Sequence, residues 1–260
     1  MTCKICLSPS SLFDRATILG KYEISYFRCA NCGFIQTEDP YWLDEAYSSA
    51  INVTDTGIIA RNLRYSRISA AIISAFFNKN DRFLDYAGGY GVFTRCMRDR
   101  GFDFYWSDPF CANLVARGFE SKNAEKFPLF TAFEVFEHLV DPIPEVKKML
   151  ENTSSILFTT ELHSKEKPLK SHEWWYYALE HGQHVSLHTT ESLKEMATQF
   201  KLNFYSDGKA IHLMTDKKIN PLLFLLTVKM ASRGWLNRFS HMKSKTESDM
   251  IALRKSVLGQ

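Results

Sequence analysis

Two Cys-x-x-Cys knuckles, Cys3-Lys-Ile-Cys6 and Cys29-Ala-Asn-Cys32, flank a gap of 22 residues and constrain the start of this chain more than any other feature. A knuckle is a tight turn that aims two thiols at one point, and Gly33 lets the backbone twist just after the second. Four thiolates from two such turns close a tetrahedron around Zn²⁺ with no position left for water, so the metal this spacing predicts is structural. Between the knuckles Tyr22, Ile24 and Tyr26 alternate with polar residues, as along one face of a hairpin. Residues 1–40 therefore read as a zinc ribbon with Cys3, Cys6, Cys29 and Cys32 as ligands. Incidental thiols or two disulfides are the alternative. With no secretory signal ahead of Cys3, reduced cysteines in a cytoplasmic protein are the expectation.

The remainder of the 260 residues has room for one substantial domain with appendages. Residues 41–80 carry a helical pattern, with Ile68, Ala71, Ile72, Ala75 and Phe76 recurring at three and four. Strands and helices then alternate through residues 81–215. Short strands are expected at Arg82–Asp85, Phe102–Ser107, Phe130–Phe133 and Ser155–Thr160, and a last pair at Asn203–Ser206 and Ala210–Met214. Helices are expected at Val92–Arg100, Ile143–Leu150 and Glu191–Phe200, the last with Thr190 as its cap. This alternation predicts an α/β fold, a parallel-type sheet with helices on both faces. Residues 216–260 form a basic tail with helical stretches.

Leu84-Asp85-Tyr86-Ala87-Gly88-Gly89-Tyr90-Gly91 lies directly after a strand and opens a helix. Small residues there let backbone amides approach a ligand, and the helix start adds a positive field. Asp85 is placed to accept from a ligand amine. Asp108 closes the next strand, 23 residues on, where an acid can hold two ribose hydroxyls. Strand, loop, helix, strand and acid in this order point to a nucleoside-bearing ligand.

The loop from Asp85 to Gly91 resembles the first motif of class I S-adenosylmethionine-dependent methyltransferases, and Trp106-Ser-Asp108-Pro-Phe resembles their acidic second motif. Phe130-Thr-Ala-Phe-Glu-Val-Phe-Glu137-His138-Leu resembles the segment that lines their methyl-donor pocket. The resemblance runs from about Asp81 to Thr215 and implies a Rossmann-like methyltransferase sheet behind the ribbon. It implies S-adenosylmethionine as cofactor, with Asp85 and Gly89 near the methionine part and Ala87, Gly88 and Gly91 also among the cofactor-binding residues. Asp108 would then bind the ribose, with Phe110 near the adenine and Pro109 also cofactor-binding, and Phe133, Glu134 and His138 would line the pocket. Ala87 departs from the family pattern, which has glycine at that position.

Ser171-His-Glu-Trp-Trp-Tyr-Tyr-Ala-Leu-Glu180-His181-Gly-Gln-His184-Val-Ser-Leu-His188 is dense in rings and imidazoles. Imidazole suits proton removal from a hydroxyl or an acidic carbon, and Trp174 to Tyr177 suit stacking on a sugar or another flat ligand. His184, then His181, with Glu180 beside them, are the candidate catalytic residues. Gly182-Gln-His184-Val-Ser, ahead of the expected capped helix, resembles the acceptor-side segment of methyltransferases in bacterial sugar and surface-glycan pathways. A sugar, nucleotide sugar or glycan is thus the expected acceptor, methylated on oxygen or carbon. An RNA base methyltransferase with a cysteine ribbon is the alternative, and an inactive binding module a third reading. A net charge of only +3 gives no call for a nucleic-acid partner. No apolar run approaches the ~20 residues of a membrane span. Leu222 to Val228, with Lys229, Arg233, Trp235 and Arg238, leaves open a peripheral membrane contact, packing on the domain, or a subunit interface.

Overall fold

The computed structural model describes residues 1–47, 55–122, 124–236 and 242–258, so Arg238 of the tail lies outside the described residues. The strands are β1 (Ser10–Ile18), β2 (Tyr22–Cys29), β3 (Ile35–Thr37), β4 (Arg82–Tyr86), β5 (Asp103–Ser107), β6 (Phe130–Ala132), β7 (Ser155–Thr159), β8 (Ser186–Leu187), β9 (Asn203–Ser206) and β10 (Ile211–Thr215). The helices are α1 (Leu43–Ala46), α2 (Ile58–Phe76), α3 (Val92–Asp99), α4 (Pro142–Leu150), α5 (Thr190–Gln199), α6 (Pro221–Ser232) and α7 (Thr246–Leu258), with 3-10 turns at Phe136–His138 and Trp175–Tyr177. One sheet has the order β5-β4-β6-β7-β10-β9 and a smaller one the order β1-β2-β3-β8. In the larger, β4 pairs parallel with β5 and β6, while β10 and β9 close antiparallel. This is a Rossmann-like α/β sheet with an appended cysteine-bearing sheet.

The chain forms two compact units, each built from separated segments. The first comprises Met1–Asn52, Phe133–Glu151 and Phe158–Lys218. Its small sheet starts from the β1–β2 hairpin, in which Ser10 pairs with Cys29 and Ile18 with Tyr22, with a register shift between Leu12 and Asp14. The inward face of the hairpin is the apolar row that the alternation predicts: Ile24 and Tyr26 are buried, together with Ile35, Trp42, Tyr176, Tyr177, Val185 and Leu187. Tyr26 meets Tyr177 edge to face, with ring centroids 4.9 Å apart. The ribbon thus shares its core with the imidazole-rich segment. β3 adds to β2 and recruits β8, with Ile35 opposite Leu187 and Gln36 opposite Ser186. In the same unit α5 begins one residue earlier than its sequence suggests. Thr189, not Thr190, is the cap: its hydroxyl accepts from the Ser192 amide while the Ser192 hydroxyl accepts from the Thr189 amide.

The second unit comprises Val53–Ala132, Asn152–Leu157 and Ile219–Gln260. Phe83, Phe93 and Phe104 form its centre, stacked or edge to face at 5.4 and 5.6 Å. The tail belongs to this unit. Arg98 on α3 meets Asp249 on α7 through two 2.7 Å bonds, both side chains buried, and also holds Asp103 at 2.7 Å. A two-pronged guanidinium–carboxylate pair out of water fixes α7 in register, because breaking either partner strands a buried charge. Helix α6 buries Phe224, Val228 and Ala231 and exposes Leu222, Leu223, Leu225 and Leu226. No helix among the described residues is long and apolar enough to cross a membrane.

Candidate functional site

The glycine loop is built from the second unit alone. β4 delivers Asp85, and α3 starts at Val92 after Gly91. Asp85 is buried and takes a hydrogen bond on each oxygen, from Thr94 at 2.9 Å and from Thr131 at 3.1 Å. Burial pushes its carboxyl up to about 7, against the pull of those two hydroxyls. Its carboxyl therefore braces the loop from beneath. A Cβ on Gly88 would sit 2.6 Å from Asp85 Oδ2 and 2.8 Å from the Trp106 ring, so only glycine fits this crossing. Ala87 and Gly89 both have left-handed backbones, at φ 54°. At Gly89 a Cβ would meet nothing within 4 Å, so that face of the loop is open to a ligand. At Ala87 the methyl is carried in a conformation that costs roughly 1 kcal/mol outside glycine.

Asp108 stands at the end of β5, half-buried. Its Oδ2 accepts from the Gly89 amide at 2.9 Å, and its Oδ1 accepts from the Phe110 and Cys111 amides at 2.8 and 2.9 Å. Three backbone donors fix its carboxyl beside the loop, where two hydroxyls of a ribose could share its remaining lone pairs. Pro109 and Phe110 follow it, exposed. Asp85, Ala87, Gly88, Gly89, Gly91, Asp108, Pro109 and Phe110 are thus brought together. Phe133, Glu134 and His138 belong to the first unit.

The four cysteine thiols converge as the spacing predicts. Sγ separations are 3.6 Å for Cys3–Cys32, 3.5 Å for Cys6–Cys29 and 3.6 Å for Cys6–Cys32. All four are free thiols, so the disulfide alternative does not hold. A tetrahedron with bonds of about 2.3 Å has edges near 3.8 Å, so a zinc ion fits the donor set. The Cys32 hydrogen bond drives the Cys3 thiol down to about 5, and the same contact pushes Cys32 up.

A second cluster of ligand-type groups lies in the same unit. Glu137, His138 and His184 each present one ligand atom, all within 4.8 Å of one another. The 3-10 turn that carries Glu137 and His138 is stitched to the strand after His184. The Val185 amide donates to the Glu137 carbonyl at 2.9 Å, and the Ser186 hydroxyl donates to the Leu139 carbonyl at 2.6 Å. His184 Nδ1 donates to the Tyr176 carbonyl at 2.6 Å, which leaves the lone pair on Nε2. His138 Nδ1 lies 3.0 Å from the Tyr47 hydroxyl. Burial pushes the Glu137 carboxyl well up and the His184 imidazole well down, and brings His138 to about 4. Neither Glu137 oxygen has a hydrogen-bond partner among the described residues. The Tyr176 and Thr160 hydroxyls bond each other at 3.2 Å and lie near enough to favour the ionised form of Glu137 without offsetting its burial.

Of the three residues proposed from sequence as catalytic, His184 is inside this cluster, and His181 has its ring 5.8 Å from that of His184. Glu180 is exposed. Glu137 was not among the sequence candidates, although the run Glu134-Val-Phe-Glu137-His138 put an acid between an apolar ring and an imidazole. That is the signal of a buried carboxylate. Tyr47, Thr94 and Thr131 were also missed, since hydroxyls that support another group carry no spacing pattern.

The sequence profile of a family described as "Methyltransferase domain" matches residues 59–206. None of the curated proteins matches the chain. Similar solved structures include the plantazolicin methyltransferase BpumL with a monoazolic desmethylPZN analogue and SAH, at 13% identity and a TM-score of 0.47 over 74% of this chain and 87% of that one. The SAH-bound CalO1, a methyltransferase in calicheamicin biosynthesis, is 15% identical at a TM-score of 0.47, over 69% of this chain and 60% of that one. The magnesium protoporphyrin IX methyltransferase from Synechocystis PCC 6803 is 8% identical at a TM-score of 0.44, over 68% and 96%.

Proposed function

The chain belongs to the methyltransferase-domain family and is an S-adenosylmethionine-dependent methyltransferase; on that premise we propose that its acceptor is a sugar, nucleotide sugar or surface glycan. The observation that carries this reading is the exposed Trp175 of the Ser171–His188 segment; Tyr176 and Tyr177, expected with it as stacking surfaces, are buried in the core of the small sheet. Trp175 is 75% exposed and lies edge to face on Tyr176, with centroids 5.3 Å apart, while Tyr176 lies 4.7 Å from His184. An open indole, one ring removed from His184, offers a pyranose a face to stack on, and the imidazoles and exposed Glu180 of the same segment would offer partners for its hydroxyls.

A sulfonium-bound methyl group brings its own leaving group, so the protein has to hold the donor, align the acceptor and keep water out. On this reading the backbone from Ala87 to Gly91 receives the methionine part, over the Asp85 brace. Asp108 holds the ribose hydroxyls, and Pro109 and Phe110 cover the adenine. Loss of the acceptor proton falls to the His181–His184 stretch with Glu180 beside it. The four cysteines hold a structural Zn²⁺ in a cytoplasmic protein.

The test is incubation with methyl-labelled S-adenosylmethionine and separated nucleotide-sugar and glycan fractions. Label should appear in a sugar-bearing product. Label confined to RNA, or transfer to sugars unaffected by Trp175→Ala, would reject the acceptor assignment while leaving the family in place.

A further inference from the structure

Glu137 is the most anomalous group in the molecule. It is fully buried, both carboxylate oxygens lack a hydrogen-bond partner among the described residues, and two imidazoles present nitrogen atoms within 4.8 Å. An ionised carboxylate in that state costs several kcal/mol unless a positive charge meets it. The charged group that acts on it is another acid, Glu134, whose field works against ionisation. Glu134 itself is held in a left-handed backbone, and its carboxylate accepts from Thr159 at 2.7 Å. No lysine or arginine among the described residues is paired with Glu137. What this arrangement lacks is a cation.

We propose that Glu137, His138 and His184 form a divalent transition-metal site, separate from the four-cysteine cluster. One carboxylate and two neutral imidazoles are the donor set that suits Zn²⁺, Mn²⁺, Co²⁺ or Fe²⁺, and three protein ligands leave positions for exogenous oxygens. Around a cation at about 2.1 Å, neighbouring donors stand roughly 3.0–3.4 Å apart. The three groups therefore need only small side-chain rotations to close on one. His184 is already set up for this. Its Nδ1–H is committed to the Tyr176 carbonyl, the outer contact that fixes the tautomer of a metal-bound histidine and turns Nε2 toward the metal. Tyr47 at His138 Nδ1 is a candidate for the same service. The scaffold is the small sheet: the Thr37 amide donates to the Val185 carbonyl at 3.1 Å, and the Val185 amide in turn to the Glu137 carbonyl.

Whether a cation binds does not depend on which acceptor the enzyme uses. If the acceptor is a sugar, as proposed above, two adjacent hydroxyls would take the open positions, and His184 would act through the cation and not as a free base. The two clusters also differ in hardness: thiolates keep zinc, whereas a nitrogen–oxygen set accepts manganese.

The experiment is Mn²⁺ titration of the zinc-loaded protein, followed by electron paramagnetic resonance, with total zinc measured in parallel. The wild type should bind one Mn²⁺ per chain. Glu137→Gln and His184→Ala should each weaken that binding by at least about tenfold and leave the zinc of the cysteine cluster in place. Because Glu137→Gln also removes a buried acid, its melting temperature in chelator should equal or exceed that of the wild type. Mn²⁺ should raise the melting temperature of the wild type alone. Failure of the wild type to bind Mn²⁺ or Co²⁺ at millimolar concentration, or equal binding by both variants, would overturn the site. Either result would leave methyl transfer itself untouched.

Discussion

The glycine-loop unit and the cysteine-stapled unit build their sites by opposite routes. In the former, nearly every group that meets the ligand space comes from one run of chain, Asp85 to Phe110, and most are backbone amides. In the latter, the Glu137–His138 turn and His184 are far apart in sequence and are joined by the Val185–Glu137 and Ser186–Leu139 bonds beside a β8 that is paired to β3 of the ribbon. A contiguous site is held by local geometry and tolerates change elsewhere. An assembled site inherits the stability of whatever assembles it.

The largest effect should come from disturbing the staple. Structural zinc in a small ribbon contributes on the order of 10 kcal/mol of apparent binding energy, comparable with the whole margin of a domain. Cys3→Ser combined with Cys29→Ser should abolish metal binding at the ribbon and transfer to any acceptor. Binding of S-adenosylhomocysteine, followed by calorimetry, should fall far less. Equal loss of both would mean the two sites are not separately supported.

Next in size is Asp85. Its folded-state carboxyl is raised by burial to about 7, above its unfolded value near 3.8. A raised acid favours folding while protonated, so this contribution is complete below about pH 4 and is lost as pH rises through 7. The loss is on the order of 4 kcal/mol at most. Asp85→Asn keeps an acceptor for Thr94, and Thr131 can turn to the Leu84 carbonyl, 3.3 Å away. Denaturation midpoints should therefore diverge, the wild type falling relative to Asp85→Asn between pH 4 and 7. Parallel curves would show that Asp85 is solvated and not a brace.

Trp175→Ala should raise the acceptor KM about tenfold, roughly the 1–1.5 kcal/mol of one ring stack, and leave donor affinity unchanged. A fall in kcat with KM unchanged would move Trp175 out of acceptor binding. The smallest effect is Ala87→Gly. Relief of the left-handed alanine should stabilise the protein by up to about 1 kcal/mol, a change of a few degrees in melting temperature. Destabilisation would mean that Ala87 packs on something that offsets its backbone cost.

The same contrast explains what could be read from the sequence. The strands and helices flanking the glycine loop are at or within a residue of their expected positions, since alternating apolar runs and a loop of small residues are local signals. The cysteine convergence was legible for the same reason: two short spacings fix it. β3 and β8, of three and two residues, gave no periodicity, and their pairing is a long-range event. Without that pairing nothing in the sequence brings Glu137 to His184, so the carboxylate was passed over while its neighbour His138 was noticed. The tail reads as a basic appendage because Asp249, which locks α7 to Arg98, is one of three acids among nine Lys/Arg.

The ribbon should hold the Glu137–His138–His184 segment in place, and amide hydrogen exchange with and without chelation of the zinc proposed for its cysteines tests this most directly. The account predicts that on chelation the amides of Thr37 and Val185, which link β3 to the Glu137 turn, exchange faster by on the order of 100-fold. Leu84 and Phe104 in the glycine-loop unit should stay protected. Unchanged protection at Val185 after the metal is removed would contradict it.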